Sequence, residues 1–354
     1  MTRELLEGST AIARSAIVAG CRFFAGYPMS PFTGLLEQMS KELPAAGGTC
    51  VNAESEIEGA NMVLGAAAAG ARAATGSCGQ GIALMQETIA EGALNETPFV
   101  VFNMARNQQD YFQATRGGGW GDYRTITLAP KDIFEAVEHT QLLFHLADRY
   151  RAPVMLYGDP LIAQTRVAVS VDPLDFGPLP DKDWALDGTG GGTGHSRQVW
   201  TWAMGKATEP GPGPDRHWRA IAEKFDAIAA TEARHEQAHT DDAETVVVAF
   251  GSAATFVRYV VDELREEGHR IGWFRPVTLW PFPGAALSRA TNGTQRVLVF
   301  ELNAGQMLDD VLIHAADRST VRFIGGVSIG ESGLSYGELM DAPAIRTRIL
   351  ETIR

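Results

Sequence analysis

Cysteine, positive charge and long apolar runs are all scarce in this sequence, and each shortage excludes a class of protein. The three cysteines, Cys21, Cys50 and Cys78, form no Cys-x-x-Cys pair, which argues against a zinc site or a four-cysteine iron–sulfur cluster within this chain. The net charge of −13 argues against nucleic acid as a partner, because nucleic-acid-binding proteins carry basic faces. Glycine and charge interrupt every apolar stretch before about 18 residues, so we expect no membrane-spanning helix. With no signal-peptide core at the N-terminus, these features predict a cytoplasmic protein.

Two stretches of alternating strands and helices flank a polar segment. The 354 residues, 45% of them apolar, are enough for two or more domains. The alternation in 1–172 and again in 241–354 predicts βαβ units, and therefore an α/β protein with two doubly wound parallel-sheet domains. Between them, 173–240 is expected to be a linker or crossing segment, with glycine-rich loop composition at 187–194. Apolar spacing further predicts helices at 5–19 and 217–236.

Three carboxylates stand together where one predicted helix begins. Glu54, Glu56 and Glu58 follow a short strand and precede a run of small and apolar residues. Burying an unpaired charge costs several kcal/mol. At least one of these acids is therefore expected to have a partner, and that partner need not be protein.

Four segments that follow predicted strands are expected to meet at one edge of the first sheet. They are residues 27–31, 54–56 and 76–81, together with Arg106. In open α/β sheets, ligands bind beyond the carboxyl ends of the strands. The glycine-rich turn would let the backbone approach a ligand closely, Arg106 could pair with a substrate carboxylate, and Glu56 could bond a ring nitrogen of a cofactor.

Each of these residues also has a purely structural interpretation, and spacing alone leaves both open. The structural alternatives are a tight turn at Gly79 and Gly81, a helix cap at Ser30, a favourable helix-dipole interaction at Glu56, and a surface ion pair of Arg106 with Asp110 or Asp122.

Longer motifs give a resemblance to a known family. Residues 65–81, with Glu-Ser-Glu-Ile at 54–57 upstream, resemble the pyrimidine-binding domain of 2-oxoacid:ferredoxin oxidoreductases, which are thiamine-diphosphate enzymes. Residues 26–31 (Gly-Tyr-Pro-Met-Ser-Pro) are similar to the family's Gly-Tyr-Pro-Ile-Thr-Pro loop, and 110–123 resemble a signature of the branched-chain, 2-oxoisovalerate members. Residues 301–307 are similar to the family's second-domain pattern Glu-Met-Asn-x-Gly-Gln. The resemblance implies a pyrimidine-binding first domain and a transketolase C-terminal-like second domain.

The resemblance also implies roles for individual residues. Glu56 would bond N1′ of the aminopyrimidine and stabilise the imino tautomer, whose nitrogen removes the thiazolium C2 proton. Arg106 would hold the 2-oxoacid carboxylate, and Ser30 stands where the family has a threonine near the substrate. The expected catalytic residues are thus Glu56, Arg106 and Ser30, and the expected cofactor-binding residues are Glu56, Pro28, Tyr27, Gly79 and Gln80, with no metal ligand in this chain.

One family motif is missing, and its absence points to a partner. The family holds the diphosphate and Mg²⁺ with a Gly-Asp-Gly…Asn segment, whereas the nearest string here, at 121–123, lacks the second glycine and a following asparagine. By resemblance, the chain is an α subunit that shares thiamine diphosphate with a β subunit supplying the diphosphate site, Mg²⁺ and a [4Fe–4S] cluster. Further γ and δ subunits or ferredoxin are possible partners, and an (αβ)₂ assembly is expected.

The expected activity is oxidative decarboxylation of a 2-oxoacid to acyl-CoA and CO₂, with coenzyme A as co-substrate. A non-redox thiamine-diphosphate decarboxylase or carboligase subunit is the alternative. It stays open because the stretch after Arg106, at 107–110, is shorter than in the branched-chain members and borders the substrate site. A non-catalytic assembly subunit is a third interpretation, against which the presence of both Glu56 and Arg106 argues.

Overall fold

The computed structural model describes residues 3–186, 214–327 and 340–353, so the predicted loop at 187–194 lies outside the described residues. In chain order the strands are β1 (Glu4–Glu7), β2 (Phe23–Gly26), β3 (Thr49–Asn52), β4 (Ala73–Ser77), β5 (Val100–Met104), β6 (Ile126–Leu128), β7 (Val154–Gly158), β8 (Arg166–Val169), β9 (His235–Ala238), β10 (Thr245–Val248), β11 (Ile271–Pro276), β12 (Thr278–Trp280), β13 (Arg296–Val299) and β14 (Val321–Phe323). The α-helices are α1 (Gly8–Val18), α2 (Thr33–Glu42), α3 (Glu56–Ala68), α4 (Gln80–Leu84), α5 (Gln86–Leu94), α6 (Tyr111–Thr115), α7 (Ile133–Tyr150), α8 (Pro160–Gln164), α9 (Pro214–Thr231), α10 (Ala253–Glu266), α11 (Gly284–Ala290), α12 (Gln306–His314) and α13 (Ala342–Ile353).

The first sheet has seven strands in the order β12-β6-β7-β5-β4-β2-β3, and all neighbours are parallel except β12 and β6. Every residue of β4, β5 and β7 is buried, as in parallel sheets that are covered on both faces. Helix α1 packs against α2 and α7, while α3 packs against α5. This arrangement confirms the predicted doubly wound α/β fold.

The second sheet has five strands in the order β14-β13-β10-β11-β9. Its four strands other than β9 are parallel, and β9 pairs antiparallel with β11 at the edge. Helices α10 and α13 pack together, as do α11 and α12. Among the helices of the described ranges, none has the length and apolar character that crossing a membrane requires.

The chain passes directly from the second sheet into the first. Strand β11 ends at Pro276 in the second sheet, and β12 begins at Thr278 and pairs antiparallel with β6 of the first. The connecting Val277 accepts a hydrogen bond from the Ala129 N–H and donates one to the Arg234 carbonyl, both at 2.9 Å. One large apolar core accordingly includes residues from both sheets.

Two of the sequence-based helix predictions have wrong ends. Residues 4–7 form β1, which pairs with β8, and α1 begins only at Gly8, where a side chain would collide with the Ile162 carbonyl oxygen. The helix predicted at 217–236 ends at Thr231, and His235–Ala238 instead form β9. Both short strands lie at sheet edges and alternate little in polarity, so their structure depends on a distant partner strand.

A buried arginine joins the two sheets. Arg275 on β11 is 1% exposed and donates to both carboxylate oxygens of Glu135 on α7, at 2.7 and 2.9 Å. It also contacts the Glu236 carboxylate on β9 at 2.9 Å, and Lys131 contacts both acids. Burial alone would raise the pKa values of Glu135 and Glu236, but the charges and hydrogen bonds of Arg275 and Lys131 outweigh it and lower them.

We predict that Arg275→Met destabilises the fold by about 3–5 kcal/mol, because two carboxylates then lose their buried cation. Urea denaturation at pH 7 measures the loss. Arg258→Met is the matched control, since Arg258 contacts the same Glu236 but is half exposed, and it should cost at most about 1 kcal/mol.

The destabilisation caused by Arg275→Met should depend on pH. In the wild type, the carboxyl pKa values are depressed, so the stabilisation is present above their unfolded values and is lost as the pH falls through the folded ones. Lowering the pH from about 7 to 5 should reduce the difference in unfolding free energy between the wild type and Arg275→Met. In the variant, Lys131 is the only cation of the described residues that still contacts both carboxylates, so their charged forms are stabilised less. Equal free energies of unfolding for Arg275→Met and Arg258→Met at pH 7 would contradict a structural role for the Arg275 ion pairs.

Candidate active site

The carboxyl ends of β2, β4 and β5 bring the predicted site segments together at one edge of the first sheet. Arg106, two residues beyond β5, donates through Nε to the Ser30 carbonyl at 3.2 Å and through Nη1 to Gln80 Oε1 at 3.2 Å. Ser77, the last residue of β4, donates to Glu56 Oε1 at 3.2 Å. Hydrogen bonds thus join Arg106 to the Ser30 loop and to Gln80, and join Glu56 to the end of β4, at the same edge.

Of the three neighbouring carboxylates, only Glu56 is buried. It is the first residue of α3, it is 4% exposed, and Ser55 before it caps the helix by accepting from the Glu58 N–H. Glu54 and Glu58 are exposed. Glu56 thus lies in the first helical turn, where the helix dipole favours it, yet within the described part of the chain its hydrogen-bond partner is a hydroxyl and no cation pairs with it.

The glycine-rich turn after β4 is shaped by the space beside Glu56. A Cβ atom at Gly81 would lie 2.0 Å from Ser77 Oγ and 2.5 Å from Glu56 Oε1, so only glycine fits there. Gly79 has a φ of +52°, which glycine adopts at little cost, and its N–H donates to Asp110 Oδ2 at 2.8 Å. The tight turn and the close approach to Glu56 are therefore both present.

Arg106 is held by neutral groups. Besides Ser30 and Gln80, its Nη2 contacts Met29 Sδ at 3.1 Å, and no ion pair of Arg106 with Asp110 or Asp122 is formed among the described residues. The guanidinium offers five N–H donors, so two remain for a ligand. The structural alternative of a surface ion pair is thus absent from this part of the chain.

The loop after β2 contributes its backbone to this arrangement. The Ser30 carbonyl accepts from Arg106 and from the Cys78 thiol, at 3.2 Å each. Helix α2 begins at Thr33 without a side-chain cap, so Ser30 does not cap it. Tyr27 and Pro28 of the same loop are exposed.

Asp110 is a site residue that the sequence analysis considered only as a surface partner for Arg106. It is 6% exposed and fastens the Gly79 turn through the hydrogen bond described above. Burial raises the pKa of Asp110, and the Gly79 N–H, the Asn103 amide and the Arg106 charge only partly offset that rise. Ser77 was also missed. The sequence could have indicated Ser77, because it places a hydroxyl at the last position of a buried strand.

The other two sequence motifs contact each other beside this site. Arg116 donates to both carboxylate oxygens of Asp310 on α12, at 2.9 and 3.0 Å, and the Tyr111 hydroxyl donates to the same carboxylate at 2.5 Å. The signature at 110–123 therefore packs against the helix that follows the motif at 301–307. In the described part of the chain, no cluster of His, Cys, Asp and Glu is suited to a metal ion.

Comparisons with known proteins agree with the sequence motifs. Residues 14–183 match the family model of the thiamine-diphosphate-binding domain of pyruvate flavodoxin/ferredoxin oxidoreductase, and 243–333 match that of pyruvate:ferredoxin oxidoreductase core domain II. The ketoisovalerate oxidoreductase subunit VorB of Methanothermobacter marburgensis is 33% identical, over 92% of this chain and 94% of its own. The 2-oxoglutarate synthase subunit KorA of Methanothermobacter thermautotrophicus is 34% identical with the same coverage.

A solved structure supports the fold. The 2-oxoglutarate:ferredoxin oxidoreductase from Magnetococcus marinus superposes with a TM-score of 0.82 at 24% sequence identity. The match covers 100% of this chain and 66% of that one. With its thiamine-diphosphate-binding domain followed by core domain II, the chain belongs to the 2-oxoacid:ferredoxin oxidoreductase family.

Proposed function

We propose that this chain is the α subunit of a thiamine-diphosphate-dependent 2-oxoacid:ferredoxin oxidoreductase. The enzyme would convert a 2-oxoacid and coenzyme A to acyl-CoA and CO₂ and pass two electrons to an external acceptor. The observation that carries the proposal is the buried Glu56 carboxylate, with a single hydroxyl partner in the described part of the chain, at the same sheet edge as Arg106. The relatives VorB and KorA are named as subunits of a ketoisovalerate oxidoreductase and of a 2-oxoglutarate synthase.

The residues around Glu56 fit the aminopyrimidine half of thiamine diphosphate. The carboxylate is buried, only its Oε1 accepts a hydrogen bond among the described residues, and Gly81 lets the turn approach it closely. A carboxyl group placed this way can exchange a proton with a ring nitrogen. Tyr27, Pro28 and Gln80 are exposed around the same edge and would border the bound ring. When bound, thiamine diphosphate supplies the carbon nucleophile and the electron sink for decarboxylation.

Arg106 would bind the carboxylate of the 2-oxoacid. Its bonds to Ser30, Gln80 and Met29 hold the guanidinium while leaving two N–H donors for a carboxylate. Paired N–H donors suit the two oxygens of a carboxylate, which fixes the orientation of the substrate as well as binding it. The Ser30 hydroxyl lies in the loop after β2, whose backbone holds Arg106, and would lie near the 2-oxo group of the substrate.

The remaining components would come from partner subunits. The chain has three cysteines, one fewer than a four-cysteine cluster needs, and none of them forms a Cys-x-x-Cys pair. This supports a β subunit that carries the diphosphate site, Mg²⁺ and a [4Fe–4S] cluster in an (αβ)₂ assembly, with γ and δ subunits or ferredoxin as further partners. The solved relative from Magnetococcus marinus binds 2-oxoglutarate, coenzyme A and succinyl-CoA, which supports coenzyme A as co-substrate here.

Co-purification with the β subunit tests the redox part of the proposal. We expect a brown complex that contains iron, sulfide and thiamine diphosphate and that reduces a viologen dye with a 2-oxoacid and coenzyme A. A colourless complex that retains thiamine diphosphate would indicate a non-redox decarboxylase or carboligase. A complex without thiamine diphosphate would contradict both activities.

Glu56→Gln should lower turnover of the reconstituted complex by at least about 100-fold, because the amide cannot share its proton with the ring nitrogen as the carboxyl does. The measurement is acyl-CoA formation at saturating thiamine diphosphate. Glu58→Gln is the matched control, since Glu58 lies in the same helical turn but is exposed, and its turnover should equal that of the wild type. Unchanged turnover of Glu56→Gln would remove Glu56 from the mechanism and favour a non-catalytic assembly subunit.

Arg106→Met should raise the KM for the 2-oxoacid by roughly 10- to 100-fold, as the loss of charge-assisted hydrogen bonds worth about 1.5–3 kcal/mol predicts. Arg106→Lys should raise it less, because lysine keeps the charge but not the planar pair of donors. The KM for coenzyme A serves as the internal control and should not change. If both constants changed equally, Arg106 would not be the group that binds the substrate carboxylate.

A further inference from the structure

We call each of the two large sheets, together with the helices packed on it, a unit. The motif at 301–307 follows β13 and lies in the second unit, and it has no part in the chemistry proposed above. It nevertheless contacts residues 106–112, which we call the Arg106 segment. We propose that Asn303 is a positioning residue for substrate binding, because it fixes the backbone that carries Arg106. This inference rests on the proposed role of Arg106 in holding the substrate carboxylate.

Gln108 ties the Arg106 segment to the second sheet. Its side chain is 1% exposed, and its Nε2 donates to the Phe250 carbonyl just beyond β10 at 2.9 Å. Its Oε1 accepts from the Leu302 N–H just beyond β13 at 2.8 Å. The amide thus satisfies one donor and one acceptor at the carboxyl edge of the second sheet, two residues after Arg106.

Asn303 holds the backbone of the same residue. It is fully buried, and its Nδ2 donates to the Gln108 carbonyl at 2.7 Å. Its Oδ1 accepts from the N–H groups of Gly305 and Gln306, at 2.8 and 2.9 Å. The position needs a donor and an acceptor on one short side chain, which an asparagine provides and an aspartate does not.

Gln306 adds a second bridge. Its Nε2 donates to the Gln109 carbonyl and its Oε1 accepts from the Phe112 N–H, both at 2.9 Å. Glu301 fixes the start of α12, and with it Gln306, by accepting from the N–H groups of Met307 and Leu308. The motif therefore forms hydrogen bonds with the backbone of the Arg106 segment at three residues, Gln108, Gln109 and Phe112.

The other face of the segment meets the candidate active site. Arg106 bonds the Ser30 loop, and Asp110 bonds the Gly79 turn, so the segment lies between the two sheets with hydrogen bonds on both sides. A shift of the Gln108 backbone would move Arg106 relative to Ser30 and Gln80. Binding groups lose much of their effect when misplaced by about 1 Å, so Asn303 would influence substrate binding without touching the substrate.

The test uses two variants of the complete complex. Asn303→Asp keeps the acceptor for Gly305 and Gln306 but sets a carboxylate against the Gln108 carbonyl. Gln306→Met removes the hydrogen bonds of Gln306 to Gln109 and Phe112. Because Gln306 is partly exposed, this variant can be measured even if Asn303→Asp fails to assemble. In both variants the KM for the 2-oxoacid should rise roughly tenfold, with the KM for coenzyme A unchanged, and amide hydrogen exchange should quicken in 106–112.

Ser252→Ala is the matched control. Ser252 is buried and also joins the two units, through a hydrogen bond from its hydroxyl to Asp159, and among the described residues its side chain forms no hydrogen bond to the Arg106 segment. We expect a lower Tm with no change in the KM for the 2-oxoacid or in exchange at 106–112. The same KM increase in Ser252→Ala would show that loosening the two units in general, rather than Asn303, governs binding, and would overturn the proposal.

A double-mutant cycle distinguishes positioning from other effects. If Asn303 acts through Arg106, Asn303→Asp should leave the KM unchanged in an Arg106→Met background. An undiminished KM increase in that background would overturn the proposal, as would an unchanged KM in both single variants. If the wild type oxidises no 2-oxoacid, the proposed function fails instead. In that case hydrogen exchange decides the inference: faster exchange at 106–112 in Asn303→Asp supports the anchoring, and unchanged exchange overturns it.

Discussion

The candidate site depends on how hydrogen bonds from both units hold one stretch of backbone, the Arg106 segment. The Arg106 segment leaves the first sheet and passes between the two units. Where it is buried, as at Gln108 and Asp110, unpaired N–H and C=O groups are costly. The Asn303 and Gln306 side chains bond backbone groups of this segment, and the Gln108 side chain bonds backbone groups beyond β10 and β13. Because an amide donates and accepts at once, each side chain fixes two positions, and the segment that carries Arg106 has one defined path.

The two units behave as one structure for reasons of both packing and charge. The chain crosses from β11 into β12 through a single residue, and the apolar core continues from one sheet to the other. Arg275 adds a buried cation between carboxylates of both units. The candidate site lies at the first sheet, but the segment that carries Arg106 is also bonded to the second, so its position depends on these connections.

Buried carboxylates serve different purposes here according to their partners. Burial raises the pKa of Glu301 to about 7, although it accepts two backbone N–H groups at the start of α12, where a negative charge is favoured. Asp110 is bound by the Gly79 N–H and lies near the Arg106 charge. Glu56 has only a serine hydroxyl in the described part of the chain. The first two complete local structure, whereas Glu56 retains capacity for an external donor.

The sequence by itself determined the α/β class, the parallel sheets and the segments that meet at the first sheet edge, because periodicity and glycine-rich strand ends are local signals. Its motifs also identified the family. Only the tertiary structure decided that Glu56 is buried whereas Glu54 and Glu58 are exposed. It also decided that β9 and β12 pair as the outermost strands of their sheets, and that the motif at 301–307 forms hydrogen bonds with the Arg106 segment. These features join residues that are distant in the chain. No local pattern encodes them, because each depends on where a partner strand or side chain comes to lie.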